Sequence, residues 1–312
     1  MLFNYHKFDE VFPSGIADHH DEVATQSIEE NKKKLEGLFL EKVTKEMGVK
    51  RLSKFYPATD NKKLRNLHEA IVKTNSADHH KISVLYYILL DFDAPSGRRD
   101  LSTDFEKASH LPESYALYMK GLWHMDRLDF QVALQYLTHP SLIPTFADEI
   151  LTVLVRHNPR KLHYALAYYH TVQPGLKTHQ ALEDLFSALA RTNVTEAFYF
   201  CRQQQHARRH MFEMLISLAM DDSTRDSVAS RGIELVNLPL TAEEEGWFEA
   251  YLSNGEGRSL MHAKDTLMMR RLNTGQFKEF LAHDHHKTVR TMAGINWQKI
   301  SEGVKQGLGP RV

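Results

Sequence analysis

Apolar residues recur at three- and four-residue intervals along most of this chain, with polar residues filling the positions between. Leu35, Leu38, Phe39, Val43 and Met47 form one such stripe, and Leu64, Leu67, Ile71 and Val72 form a second. This spacing matches an α-helix with one face buried. The polar side of the first stripe mixes Lys with Glu, which suits a helix docked on protein better than one lying on a membrane. The run ISVLYYILLDF at 82–92 is apolar all round, so its period fits a buried strand or a buried helix equally. Asp78 offers a cap ahead of it and the sequence holds no second strand-like run to pair with it, so the pattern predicts helix.

Beyond a loop expected at Pro95–Gly97 the stripes become regular. Pro112 stands where a helix starts, and Tyr115, Met119, Leu122 and Trp123 share a face. Asp129 is a candidate cap for a helix with Phe130, Ala133, Leu134 and Leu137 inward. Pro140 and Pro144 interrupt the chain, and Phe146, Ala147, Ile150, Leu151, Leu154 and Val155 resume it. Leu162, Ala165, Leu166 and Tyr169 make the next face, and Thr178 caps one built on Ala181, Leu182, Leu185, Phe186 and Leu189. Val194, Ala197, Phe198 and Cys201 follow, then Met211, Met214, Leu215, Leu218 and Ala219. Further helices fit 224–236, 241–252, 257–272 and 275–282, and a last one holds Trp297, Ile300 and Val304.

Short helices joined by short turns predict an all-α protein, an irregular α-solenoid of stacked helical hairpins. Gly121, Ala133 and Leu137 have the small–small–apolar spacing that lets paired helices approach closely. Residues 1–24 are acidic, His-rich and aperiodic, and are expected to form an extended, partly disordered arm ahead of one helical domain over 25–312.

Composition narrows the function classes. The 312 residues have a formal net charge of −1 and 42% hydrophobic content, which argues against a dedicated nucleic-acid binder. Charge is nonetheless unevenly spread: residues 1–30 carry seven acids against one Lys, residues 31–73 twelve Lys or Arg against five acids, and 256–312 ten against five. Such blocks usually form solvated faces, with contact to an acidic partner or nucleic acid as the alternative. The single cysteine rules out an intrachain disulfide or a multi-cysteine metal site and suits a reducing compartment. With no long apolar run and no leader-like start, the chain is expected to be soluble and intracellular.

Candidate chemistry is sparse. In GLWHMDRLDF, His124 and Asp126 are two residues apart and lie on different sides of a helix, too far round to act as a dyad. The HDHH run at 283–286 holds metal-ligand residue types, with His283 and His286 three apart, but no HExxH pattern. NGEGR at 254–258 has glycines and an Arg that could cradle a phosphate, but lacks GxxxxGK[ST] and any strand before it; we read it as a cap and turn. Cys201 sits on an apolar face as a packing residue. No catalytic residue, cofactor site or metal site is assigned. For a contact surface, EEEGWFEAYL gathers Trp247, Phe248 and Tyr251, aromatic residues of the type that anchor interfaces, with packing against a neighbouring helix as the alternative.

Longer stretches carry a resemblance. GLWHMDRLDFQVALQYLTHPSLIPTFADEILTVL, ALAYYHTVQP, ALEDLFSALARTNVTEAFYFCR, RGIELVNLPLTAEEEGWFEAYL, GEGRSLMHAKDTLMMRR and the closing GLGPR, with YYILLD upstream, resemble the helical domain of the fungal ELYS family over roughly 82–312. The resemblance implies an α-helical nucleoporin without enzymatic activity. It further implies partners among the nucleoporins of the Y-shaped scaffold subcomplex, no small-molecule substrate, and a place at the nuclear envelope. The chain departs from the animal form in having no room for a β-propeller and no AT-hook-like run, so direct DNA binding is not carried over. A chromatin-associated adaptor and a metal-dependent enzyme are the alternatives.

Overall fold

A computed structural model of the chain describes residues 3–13, 16, 22–50, 52–96, 100–204, 206–221, 228–282 and 295–307. They are all-helical, with no strand among them, and consecutive helices pack on one another as in a helical solenoid. The chain divides into two compact units, Met1–Ala181 and Leu182–Val312.

The first unit is built round an apolar helix. The helices α1 (Phe8–Val11), α2 (Glu22–Lys34), α3 (Phe39–Glu46) and α4 (Asn61–Val72) lead to α5 (Asp78–Ser96). Val84, Leu85, Tyr86, Tyr87, Ile88 and Leu89 on α5 are all buried. A helix covered on every side has no polar face to alternate with, which is why the 82–92 run shows no period. Its covers are α3, α4, α6 (Leu101–Ser109) and α7 (Glu113–Asp126). Helix α5 also runs on through Ser96, into the stretch where the sequence suggests a loop.

Helix α7 pairs tightly with α8 (Phe130–Leu137), where Phe130, Ala133, Leu134 and Leu137 face inward. A Cβ placed on Gly121 would lie 2.5 Å from Leu137 Cδ2, so the close approach depends on that hydrogen-only position. Asp129 does stand at the start of α8, but its side chain caps nothing; it faces His124 Nδ1 at 3.4 Å. Helices α9 (Ala147–Arg156) and α10 (His163–Val172) follow.

Among residues 3–13, packed side chains occur where the sequence is aperiodic. Phe12 is fully buried, Phe8 lies edge-on to His68, and the Tyr5 hydroxyl donates to Asp78 Oδ1 at 2.6 Å. Three aromatic side chains thus hold residues that no helical stripe marks. Residues 14, 15 and 17–21, including His19, His20 and Asp21, lie outside the described residues.

The unit boundary falls in α11 (His179–Thr192), whose Ala181 amide donates to the Thr178 hydroxyl as the sequence predicts. The second unit continues with α12 (Val194–Gln203), α13 (Arg208–Ala219), α14 (Val228–Val236) and α15 (Ala242–Ser253). Asn193 and Thr241 cap α12 and α15 by accepting the amides of Glu196 and Glu244. The buried stripe of α13 is Phe212, Leu215, Ile216 and Ala219, slightly rotated from the predicted one, leaving Met211, Met214 and Leu218 half-buried.

The helix expected over 257–272 is broken. A short 3₁₀ turn covers Glu256–Ser259, His262 adopts the left-handed conformation at φ 64°, and α16 starts only at Ala263 and ends at Asn273. Helices α17 (Phe277–Ala282) and α18 (Trp297–Lys305) close the unit, with Met268, Phe280 and Trp297 packed together. The HDHH run lies outside the described residues.

Candidate functional site

Buried charges are where chemistry would be sought, and here several of them serve helix ends. In the WHMD segment, Asp126 accepts the backbone amides of Phe39 and Leu40 at 2.7 and 3.1 Å and the Tyr87 hydroxyl at 2.7 Å. Leu38, at the start of α3, has no side-chain acceptor, so a carboxylate from α7 supplies the cap. Burial raises the Asp126 carboxyl to about 7, against the pull of these three donors. One α-helical turn earlier, the Trp123 indole donates to Asp91 Oδ1 at 2.8 Å, and Asp91 also receives the Tyr56 hydroxyl and the Arg127 guanidinium. His124 turns another way and stacks on Tyr136.

The same device recurs. Asp93 accepts the amides of Leu101 and Ser102, Asp148 those of Lys177 and Thr178, and Glu234 that of Val194. Guanidinium groups serve the opposite ends: Arg231 donates to the Ala219 and Asp221 carbonyls, and Arg270 to those of Val236 and Leu238. Arg270 is also paired with Glu245.

Cys201 is buried, and burial raises its thiol to about 12, so it stays protonated at neutral pH. In NGEGR, a Cβ on Gly257 would fall 2.4 Å from Tyr251 Cε1, so that glycine makes room for an aromatic ring. Among the described residues no group of three His, Cys, Asp or Glu is placed to hold a metal ion, and no helix is long and apolar enough to cross a membrane.

The aromatic cluster singled out in the sequence is split by the fold. Phe248 is fully buried and anchors α15 in the core, whereas Trp247 and Tyr251 are half-buried. Around Trp247 the structure assembles neighbours that local sequence does not group. Arg208 of α13 lies 5.4 Å from the Trp247 ring, and Arg202 of α12 stacks 4.2 Å from Phe198 and 5.8 Å from Tyr199, which is 49% exposed. Both guanidinium groups converge on buried Glu244: Arg202 Nε at 3.0 Å and Nη2 at 2.7 Å, and Arg208 Nη2 at 2.6 Å. Burial opposes this charge, but the Arg202, Thr241 amide and Arg208 hydrogen bonds outweigh it and lower the Glu244 carboxyl to about 2. Glu244 thus fixes two arginines beside two partly exposed aromatic rings, a pre-ordered surface of the composition that anchors protein contacts. Its one local signal is the Thr241–Glu244 capping box, which foretells the cap but not the arginines.

Comparison with known proteins gives the family of the chain. The model of the ELYS family, described as nuclear pore complex assembly, matches residues 37–255. The chain belongs to the ELYS family. Nuclear pore complex assembly is therefore the role in which its helices act, and its partners are proteins of the pore. The chain is also 24% identical over 250 residues to a protein named uncharacterized protein ely5 from Schizosaccharomyces pombe, covering 80% of this chain and 78% of that one. The ELYS match begins upstream of the 82–312 span in which the resemblance was read and takes in α3, with its Asp126 cap. Its end at 255 leaves α16–α18 outside it.

Proposed function

We propose that this chain is a non-enzymatic structural adaptor that docks on the Y-shaped scaffold subcomplex of the nuclear pore, at the nuclear envelope, and supports pore assembly there. The match to the ELYS family over residues 37–255 carries this reading. The employment of buried charges also supports it: Asp126, Arg231 and Arg270 are bound to helix ends, and Asp91 and Glu244 to neighbouring side chains. Recognition then falls to outer faces, and Trp247 and Tyr251, with Arg208 against Trp247 and with Arg202 and Tyr199 joined to it through Glu244, form one contact surface while Phe248 holds their helix in place.

Affinity purification of the tagged chain from cells, with pores kept intact, should recover members of the Y-shaped subcomplex. Recovery of none under those conditions would overturn the reading. Trp247→Ala should weaken that recovery while leaving helicity unchanged, since the ring is half-buried; a large loss of circular-dichroism signal would assign Trp247 to the core instead.

A further inference from the structure

The first unit carries a hollow that the surface around Trp247 does not involve. It holds about 460 Å³ and lies between α3, α5, α7 and the segment 141–146. Val43, Met47, Met119, Leu142 and Phe146 are among the apolar side chains that line it. The segment is braced: Pro140 and Pro144 restrict its backbone, and the Tyr118 hydroxyl donates to the Thr145 carbonyl at 2.9 Å. At its tip Ile143 is 82% exposed. Covering a large aliphatic side chain held in water on a braced loop is favourable for any partner with a fitting apolar face.

The electrostatics of the hollow select that partner. Glu46 is the one charged residue in its lining and forms no ion pair among the described residues. The other titratable lining group apart from tyrosines, His80, has its pKa lowered by partial burial and by neighbouring His79. Burial raises the Tyr118 hydroxyl, and the nearby Glu46 and Glu149 charges raise it further. The occupant must therefore combine apolar side chains with a cation. An extended peptide would also need partners for its backbone, and the described residues include no strand edge to offer them. A helix satisfies its own backbone and needs only a fitting apolar face. The methionines Met47 and Met119 adapt readily to such a face.

We propose that this hollow receives an amphipathic helix of a pore scaffold protein, its apolar side chains packed against Ile143, Met47 and Phe146 and a Lys or Arg placed on Glu46. The inference rests on the scaffold-docking reading above. The test measures affinity of the full chain for purified Y-shaped subcomplex, wild type beside Ile143→Asp, Glu46→Lys and, as control, Val23→Asp, which alters an exposed valine outside the hollow. Ile143→Asp and Glu46→Lys should each weaken binding about tenfold or more, with the control unchanged. Wild-type binding that both variants retain overturns the hollow as a site while the docking reading stands. No wild-type binding overturns both. A wild-type dimer by light scattering that Ile143→Asp dissolves also overturns the proposal, making the occupant a second copy. Should Ile143→Asp lose helicity, Glu46→Lys alone decides.

Discussion

At the residue scale, Gly121 shows most directly how spacing becomes structure. Gly121→Ala should cost about 1–3 kcal/mol through overpacking against Leu137, read by chemical denaturation, and Leu137→Ala should relieve part of that cost in the double variant. Additive losses would mean the two helices do not meet there. Cys201 should resist thiol reagents at neutral pH until the chain unfolds; rapid labelling of native protein would contradict its burial and raised thiol. Gly121 was legible in the sequence because its partner Leu137 sits on the next helix, and Cys201 because it falls on the apolar stripe of its own helix. Asp126 was not, because the amides it caps lie 87 and 86 residues away. Arg202 and Arg208 were missed for the same reason: Glu244, which gathers them, is 42 and 36 residues distant.

At the element scale, the helices read well and their ends read poorly. A stripe records what a helix packs against, so the buried faces of α8 and α12 follow from the sequence. Ends depend on remote groups, and the break at Leu260–His262 carries neither proline nor an isolated glycine to announce it. The α3 cap offers a test. Asp126→Ala strands two amides and a hydroxyl, so it should cost roughly 3 kcal/mol or more and speed hydrogen exchange at Phe39 and Leu40. Unchanged exchange there would mean α3 is capped some other way.

The same carboxyl predicts a pH effect. Its folded value of about 7 exceeds the 3.8 of an exposed aspartate, so the folded chain holds the proton longer. The stabilisation from that proton is complete below about pH 4 and is lost as pH rises through 7. Wild type should therefore lose stability relative to Asp126→Asn between pH 4 and 7; a constant difference would refute the shift. Glu244 runs oppositely: its contribution is present above 4.5 and disappears as pH falls through about 2.

At the scale of the whole molecule, Asp126, Arg231 and Arg270 are bound to helix ends, and the proposed function leaves recognition to outer faces. Two such faces stand out, the arginine–aromatic surface of the second unit and the acidic-edged apolar hollow of the first, and both lie within the residues that match the ELYS family. The family itself was legible in long mixed-residue stretches, and Trp247 and Tyr251 in EEEGWFEAYL, while the arginines of that face and the hollow were not, since they are assembled from helices far apart in sequence. Cross-linking mass spectrometry on isolated nuclear pores tests the central claim most directly. The account predicts cross-links from lysines within residues 37–255 to subunits of the Y-shaped subcomplex; cross-links that join this segment only to proteins outside that subcomplex would contradict it.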